Sequence, residues 1–177
     1  MSLLPILQYP DERLRTVAKE IDLDNFDKNY FQNLAENMLE TMYHAKGVGL
    51  AATQINVHQR IIVIDVSENA NEPMILINPK ILEASAEQCK EAEGCLSVPG
   101  IYENVERSSK ITFEYYDINK NEIVQKNADG LLAKCVQHEI DHLNGKVFVD
   151  YLSQLKQGRI KSKLQKEQRL AEKHNKK

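Results

Sequence analysis

The sequence predicts an α+β fold. Short β-branched runs cluster in the middle of the chain and helical patterns occupy both ends. No internal repeat and no Pro/Gly/Ser-rich linker interrupts the 177 residues, so residues 1–177 are expected to form a single domain. From Asp24 to Lys46, the residues Phe31, Leu34, Ala35, Met38, Leu39 and Met42 recur on one helical face, and Gly47 is the expected stop. Arg60 to Val66 (RIIVIDV) and Pro73 to Pro79 (PMILINP) are bounded by turn residues and predict strands. Lys110 to Asp117 alternates as a further strand, and Glu122 to Lys126 is its partner across Asn119-Lys120-Asn121. Asp129 is the expected N-cap of a helix running to Leu143, which stops at Asn144-Gly145. A last helix is expected from about Tyr151 into the basic segment 156–177.

Composition excludes several classes of protein. Apolar residues make up 42% and charged residues 28%, which is a globular balance and not a disordered one. No apolar run reaches the ~20 residues that span a bilayer, so no membrane association is expected. Met1 to Leu7 is interrupted by Pro5 and has no basic leader, against a secretory signal. Three cysteines are too few for a disulfide framework, and the expected compartment is a reducing cytoplasm. The net charge is −3, yet Lys156 to Lys177 carries nine Lys/Arg against two Glu. A basic tail on an acidic body suggests an anionic partner; a solvated terminal helix is the plainer alternative.

The strongest chemical signal is His138-Glu139-Ile140-Asp141-His142, an HExxH on the predicted helix. Histidines at i and i+4 lie one turn apart on one face and can reach one ion. Glu139 is turned beside that position, where it can take a proton from water. The stripe Leu131, Cys135, His138, His142 points this face at the core. The competing reading is two satisfied core histidines and a surface glutamate. A catalytic site of this kind needs a third protein ligand and an open position. The extended HExxHxxGxxH pattern fails because Phe148 stands at its last position, and the glutamates downstream, Glu167 and Glu172, lie in the basic tail. Upstream, His44, His58, Cys89 and Cys95 remain. Cys95 differs in lying within the turn-rich Glu93-Gly94-Cys95-Leu96-Ser97-Val98-Pro99, although a lone cysteine is more often a small buried hydrophobe. Gly47 and Gly49 fall in Gly47 to Ile55, ahead of Gln54, an amide donor that could equally be a surface residue.

Taken together and in order, GVGLAATQI, EGCLSVP and QHEIDHLNG resemble the three motifs of the peptide deformylase family, in its bacterial class with a C-terminal helix. The resemblance runs from Asp11-Glu12-Arg13-Leu14-Arg15 nearly to the end of the chain. It implies strands packed around the helix carrying HExxH, and hydrolysis of the formyl group from N-formyl-methionyl nascent peptides, releasing formate. It implies Cys95, His138 and His142 as ligands of one divalent metal, Fe²⁺ in the cell, replaceable by Zn²⁺, Ni²⁺ or Co²⁺. Glu139 would be the acid/base, and the Gln54 side chain and Leu96 backbone N–H the oxyanion donors. Val48, Leu131, Cys135 and His138 would line the methionine pocket, and Gly49 would offer its backbone to the substrate. Glu93 and Arg107 match a pair that braces the site. Lys134, Tyr102 and Thr53 depart from the commoner family residues, the first two beside the substrate. Ribosome binding through the tail and a monomeric state complete the expectations. Two other classes compete: an HExxH endopeptidase with a third ligand other than Cys95, and a non-catalytic, ribosome- or RNA-associated metal protein for which Glu139 is dispensable.

Overall fold

The computed structural model describes residues 2–174. Helix α1 spans Lys28–His44. It begins later than Asp24 because Asp27 is the cap, its carboxylate accepting the Tyr30 N–H at 3.0 Å. At its other end Gly47 is not the left-handed residue; Lys46 is, at φ 57. Lys46 N–H donates to the Tyr43 carbonyl and Gly47 N–H to the Met42 carbonyl, both at 2.9 Å, which is a Schellman closure.

Strands β1 (Gly49–Ala51), β2 (Ile61–Ile64), β3 (Met74–Ala84), β6 (Lys110–Asp117) and β7 (Glu122–Asp129) form an antiparallel sheet in the order β1-β2-β3-β6-β7. Every residue of β2 is buried, because helices cover both faces of the sheet. Ile61, Val63, Ile75 and Ile77 meet Phe31, Leu34, Met38 and Met42 of α1. Ile62, Ile64 and Leu76 meet Ala133, Val136 and Ile140 of the helix after β7. That explains why RIIVIDV shows no alternation. Strand β3 does not end at Pro79: its register shifts at Asn78, which takes φ 48 and exchanges hydrogen bonds with the Ile21 backbone, and pairing resumes at Lys80. A proline is tolerated at such a bulge.

Strands β4 (Gln88–Cys95) and β5 (Val98–Ser108) form a separate two-stranded hairpin that the sequence pattern did not reveal. Its buried positions include Glu93 and Arg107, so apolar alternation is missing where the pleat would otherwise show it. Helix α2 (Gly130–Leu143) carries His138, Glu139 and His142. Asp129 occupies its cap position, though its side chain makes no capping bond. Phe148–Tyr151 form a 3₁₀ turn, and helix α3 starts only at Gln154 and runs to His174. Ile160 and Leu164 of α3 join Val98, Val105, Tyr9, Leu14 and Phe148 in a third apolar cluster. The end of the predicted basic tail, residues 175–177, lies outside the described residues. No helix among the described residues is long and apolar enough to cross a membrane.

Candidate active site

Three segments converge at one cavity of about 470 Å³. Edge strand β1, with the residue before it and the turn after it, brings Val48, Gly49 and Gln54; the tip of the hairpin brings Cys95 and Leu96; α2 brings Leu131, Cys135, His138 and Glu139. His142 sits behind this lining, only 1% exposed. Ligand atoms of Cys95, His138 and His142 all lie within 4.8 Å of one another. Cys95 Sγ is 3.2 Å from His142 Nε2.

A thiolate and two imidazoles are a fit donor set for Fe²⁺, Zn²⁺, Co²⁺ or Ni²⁺. The surroundings fit as well. His138 Nδ1 lies 2.9 Å from Glu93 Oε2, leaving its other ring nitrogen for an ion. Arg107 clamps the same carboxylate through Nε at 2.8 Å and Nη2 at 3.1 Å. Burial pushes the Glu93 carboxyl up, but the hydrogen bonds from His138 and Arg107 outweigh it and hold the group down to about 2. Burial also lowers the proton affinity of both imidazoles. For His138 the contacts with Cys95 and Glu93 reverse this, whereas the nearby His138 and Arg107 charges drive His142 further down.

Glu139 is 4% exposed, and its Oε2 is buried without a hydrogen-bond partner among the described residues. Burial, opposed in part by the His138 charge, pushes its carboxyl up to about 7. A buried carboxyl shifted toward neutrality is suited to carrying a proton in both directions. Gly49 makes room for it: a Cβ there would collide with Glu139 Oε1 and lie 2.8 Å from Cys135 Sγ. Gly47 serves a similar purpose against Leu96, whose Cδ1 would be 2.7 Å from an added Cβ.

Gln54 is not a surface residue; it is 1% exposed and held at both ends of its amide. Oε1 accepts the Ala51 N–H at 2.8 Å, and Nε2 lies 3.0 Å from Ser97 Oγ and 3.6 Å from Cys95 Sγ. The amide orientation is therefore set, with its NH₂ beside the donor cluster. Reading the residues missed Ser97 as a partner of Gln54; the signal was its place two residues after Cys95, at the hairpin turn. Leu131 is 47% exposed at the mouth of the cavity. Lys134 also lines it, its Nζ paired with Glu91 at 2.9 Å, and Tyr102 stands 74% exposed with its ring packed over Gly94.

Comparison with known proteins follows the same lines. Residues 3–158 match the family described as polypeptide deformylase. The chain is 52% identical over 171 residues to a peptide deformylase of Xylella fastidiosa, covering 97% of this chain and 99% of the relative. It is 54% identical over 169 residues to one of Neisseria meningitidis, covering 96% and 98%. The crystal structure of a peptide deformylase from Legionella pneumophila superimposes with a TM-score of 0.88 at 45% identity, covering 96% of this chain and 98% of that one.

Proposed function

The chain belongs to the peptide deformylase family, hydrolases that remove the N-formyl group from nascent peptides, and we propose from the geometry of its site how its own residues do so. Cys95, His138 and His142 hold one divalent metal, with Fe²⁺ as the cellular ion and Zn²⁺, Ni²⁺ or Co²⁺ as substitutes. When bound, such an ion supplies Lewis-acid chemistry that makes water acidic enough to react near neutral pH. Glu139 takes the proton from the attacking water as the new C–O bond forms at the formyl carbon. Gln54 Nε2 and the Leu96 N–H donate to the carbonyl oxygen as it gains charge. Glu139 then passes its proton to the departing amine nitrogen, the C–N bond breaks, and formate leaves. Gly49 lies on the terminal strand of the sheet and presents its backbone to the substrate main chain. Val48, Leu131 and Cys135, with the His138 ring, receive the methionine side chain.

The observation that carries this reading is the meeting of a three-donor cluster, a buried carboxyl titrating near 7 and an oriented amide donor at one cavity. The decisive experiment is formate release from formyl-Met-Ala-Ser by anaerobically purified, metal-analysed protein, beside Cys95→Ser. Stoichiometric metal with intact activity in Cys95→Ser would refute the ligand set.

We further infer a cytoplasmic monomer, with residues 1–177 acting as one domain. Formylated chains emerge from ribosomes, whose RNA surface is a polyanion, and the exposed face of α3 is rich in Lys and Arg. Docking of α3 there would raise encounter rates with an affinity that falls steeply with salt. Removal of residues 167–177 is expected to leave short-peptide turnover within about twofold while low-salt ribosome co-sedimentation drops, because the buried Ile160 and Leu164 remain. Unchanged co-sedimentation would refute the docking role, and sedimentation equilibrium tests the monomer.

A further inference from the structure

The hydrogen-bond path leaving the donor cluster does not stop at Arg107. Arg107 Nη1 donates to Asp141 Oδ2 at 2.5 Å. The same oxygen accepts the Tyr151 hydroxyl at 2.8 Å. The Tyr151 ring lies against the guanidinium, 4.8 Å from its carbon to the ring centre. Asp141 stands three residues after His138 on α2. The path therefore leaves the helix at His138, crosses β4 at Glu93 and β5 at Arg107, and returns to the same helix one turn later. This ring ties the hairpin that ends in Cys95 to the helix that carries both histidines.

We propose that Asp141 and Tyr151 are positioning residues for the metal-ligand cluster, locking the Arg107 fork that orients Glu93 and, through it, His138. The inference rests on the proposed ligand set. Its physical basis is the sharing of one oxygen: Glu93 Oε2 meets both His138 Nδ1 at 2.9 Å and Arg107 Nη2 at 3.1 Å. The planar guanidinium fixes the plane of that carboxylate only while the guanidinium itself cannot turn. The Arg107 and Glu93 side chains are 6% and 3% exposed, so water cannot readily replace a lost partner. Asp141 occupies the remaining guanidinium nitrogen and places a second anion beside a buried cation. Tyr151 in turn holds Asp141 and covers one guanidinium face. With both in place, the imidazole and the hairpin thiol keep one relative geometry, which is what an ion bound from two separate elements requires.

The test uses the full chain loaded with Co²⁺, in wild type, Asp141→Asn, Tyr151→Phe and the double variant, with Cys95→Ser alongside. The readouts are the rate of Co²⁺ loss to a chelator, the visible Co²⁺ spectrum, and kcat and KM on a formyl peptide. Asp141→Asn is expected to speed metal loss about 10–100-fold and to alter the spectrum, the scale seen when an outer partner of a ligand is removed. Tyr151→Phe removes only the hydroxyl, which donates to Asp141 and accepts from Arg107 Nη1 at 3.4 Å, and should speed loss about fivefold, on the order of one net hydrogen bond. The double variant should fall short of the product of the two, because they act through one guanidinium. KM should stay within about twofold while kcat falls. Metal loss and spectra like wild type in both variants, even with a lowered melting temperature, would overturn the inference and leave a purely structural ring. If Asp141→Asn fails to fold, Tyr151→Phe decides the matter alone. Cys95→Ser separates the two levels: cobalt held as in wild type overturns the ligand set and this inference together, whereas cobalt lost there with both variants unchanged overturns the inference only.

Discussion

Replacing Glu139 by Gln should stabilise the metal-free protein at alkaline pH while abolishing its activity. Glu139 is 4% exposed, and its carboxyl is pushed from 4.5 to about 7, first by burial. The folded state thus holds this proton more tightly than the unfolded chain does. The stability associated with the neutral carboxyl is fully present below about 4.5 and is lost as pH rises through about 7. The displacement corresponds to about 3 kcal/mol between the charged and neutral forms. Glutamine keeps the shape and cannot ionise. Chelated wild type and Glu139→Gln should therefore unfold at similar urea concentrations at pH 5. At pH 8.5 the variant should be more stable by about 3 kcal/mol, read from the midpoint at constant m. Taking the difference between the two proteins cancels the titrating groups that Glu139 does not influence; His138 and Cys135, whose proton affinities the Glu139 charge raises, do not cancel. The metal-loaded variant should retain its ion and lose roughly 10²–10⁴-fold in kcat, as for loss of a positioned proton carrier. Equal stability differences at the two pH values would refute the burial argument, and an active Glu139→Gln would refute the acid/base assignment.

Gln54→Leu should lower kcat about 10²–10³-fold with little change in KM, since an oxyanion donor acts mainly in the transition state. It should also cost about 1–3 kcal/mol in denaturant unfolding, because the Ala51 N–H loses its acceptor in a buried turn; a pure KM effect would reassign Gln54 to ordinary substrate binding. Gly49→Ala should keep its metal and lose about 10²-fold in kcat, because the added methyl displaces the Glu139 carboxylate; steady-state kinetics with metal analysis on the same sample checks both. The iron-loaded enzyme should lose activity in air within hours through oxidation at the Cys95 thiolate, and Ni²⁺ or Zn²⁺ loading should slow this; full activity after hours in air would count against an iron–thiolate site.

Much of the architecture was legible because it depends on local periodicity. The apolar stripe Phe31 to Met42 marks α1, the β-branched runs mark β2 and β3, and the HExxH spacing aims two imidazoles from one helical face. Such features depend only on residues a few positions apart, so the chain itself determines them. The β4–β5 hairpin was not legible, since its inward positions carry Glu93 and Arg107 instead of apolar residues. The start of α1 and the continuation of β3 past Pro79 were misplaced because one hydrogen bond to Asp27 and a pair between Asn78 and the Ile21 backbone decide them, and such contacts leave no periodic trace.

The site divides in the same way. The two histidines and the glutamate followed from spacing, whereas the residues alone singled out Cys95 as a candidate donor without excluding a small buried hydrophobe, and the resemblance decided between the two. The fold brings that thiol from the hairpin tip, 47 positions away in sequence, to 3.2 Å from His142 Nε2. It also buries Glu139 deeply enough to move its carboxyl to about 7 and turns the Gln54 amide toward the cluster by the bond to Ala51. No helical or strand period carries these relations, because they arise from dielectric surroundings and from contacts between separate elements. Residue types and local spacing therefore determined which chemistry this protein can perform, and tertiary packing decided where the groups meet and in which protonation state they stand.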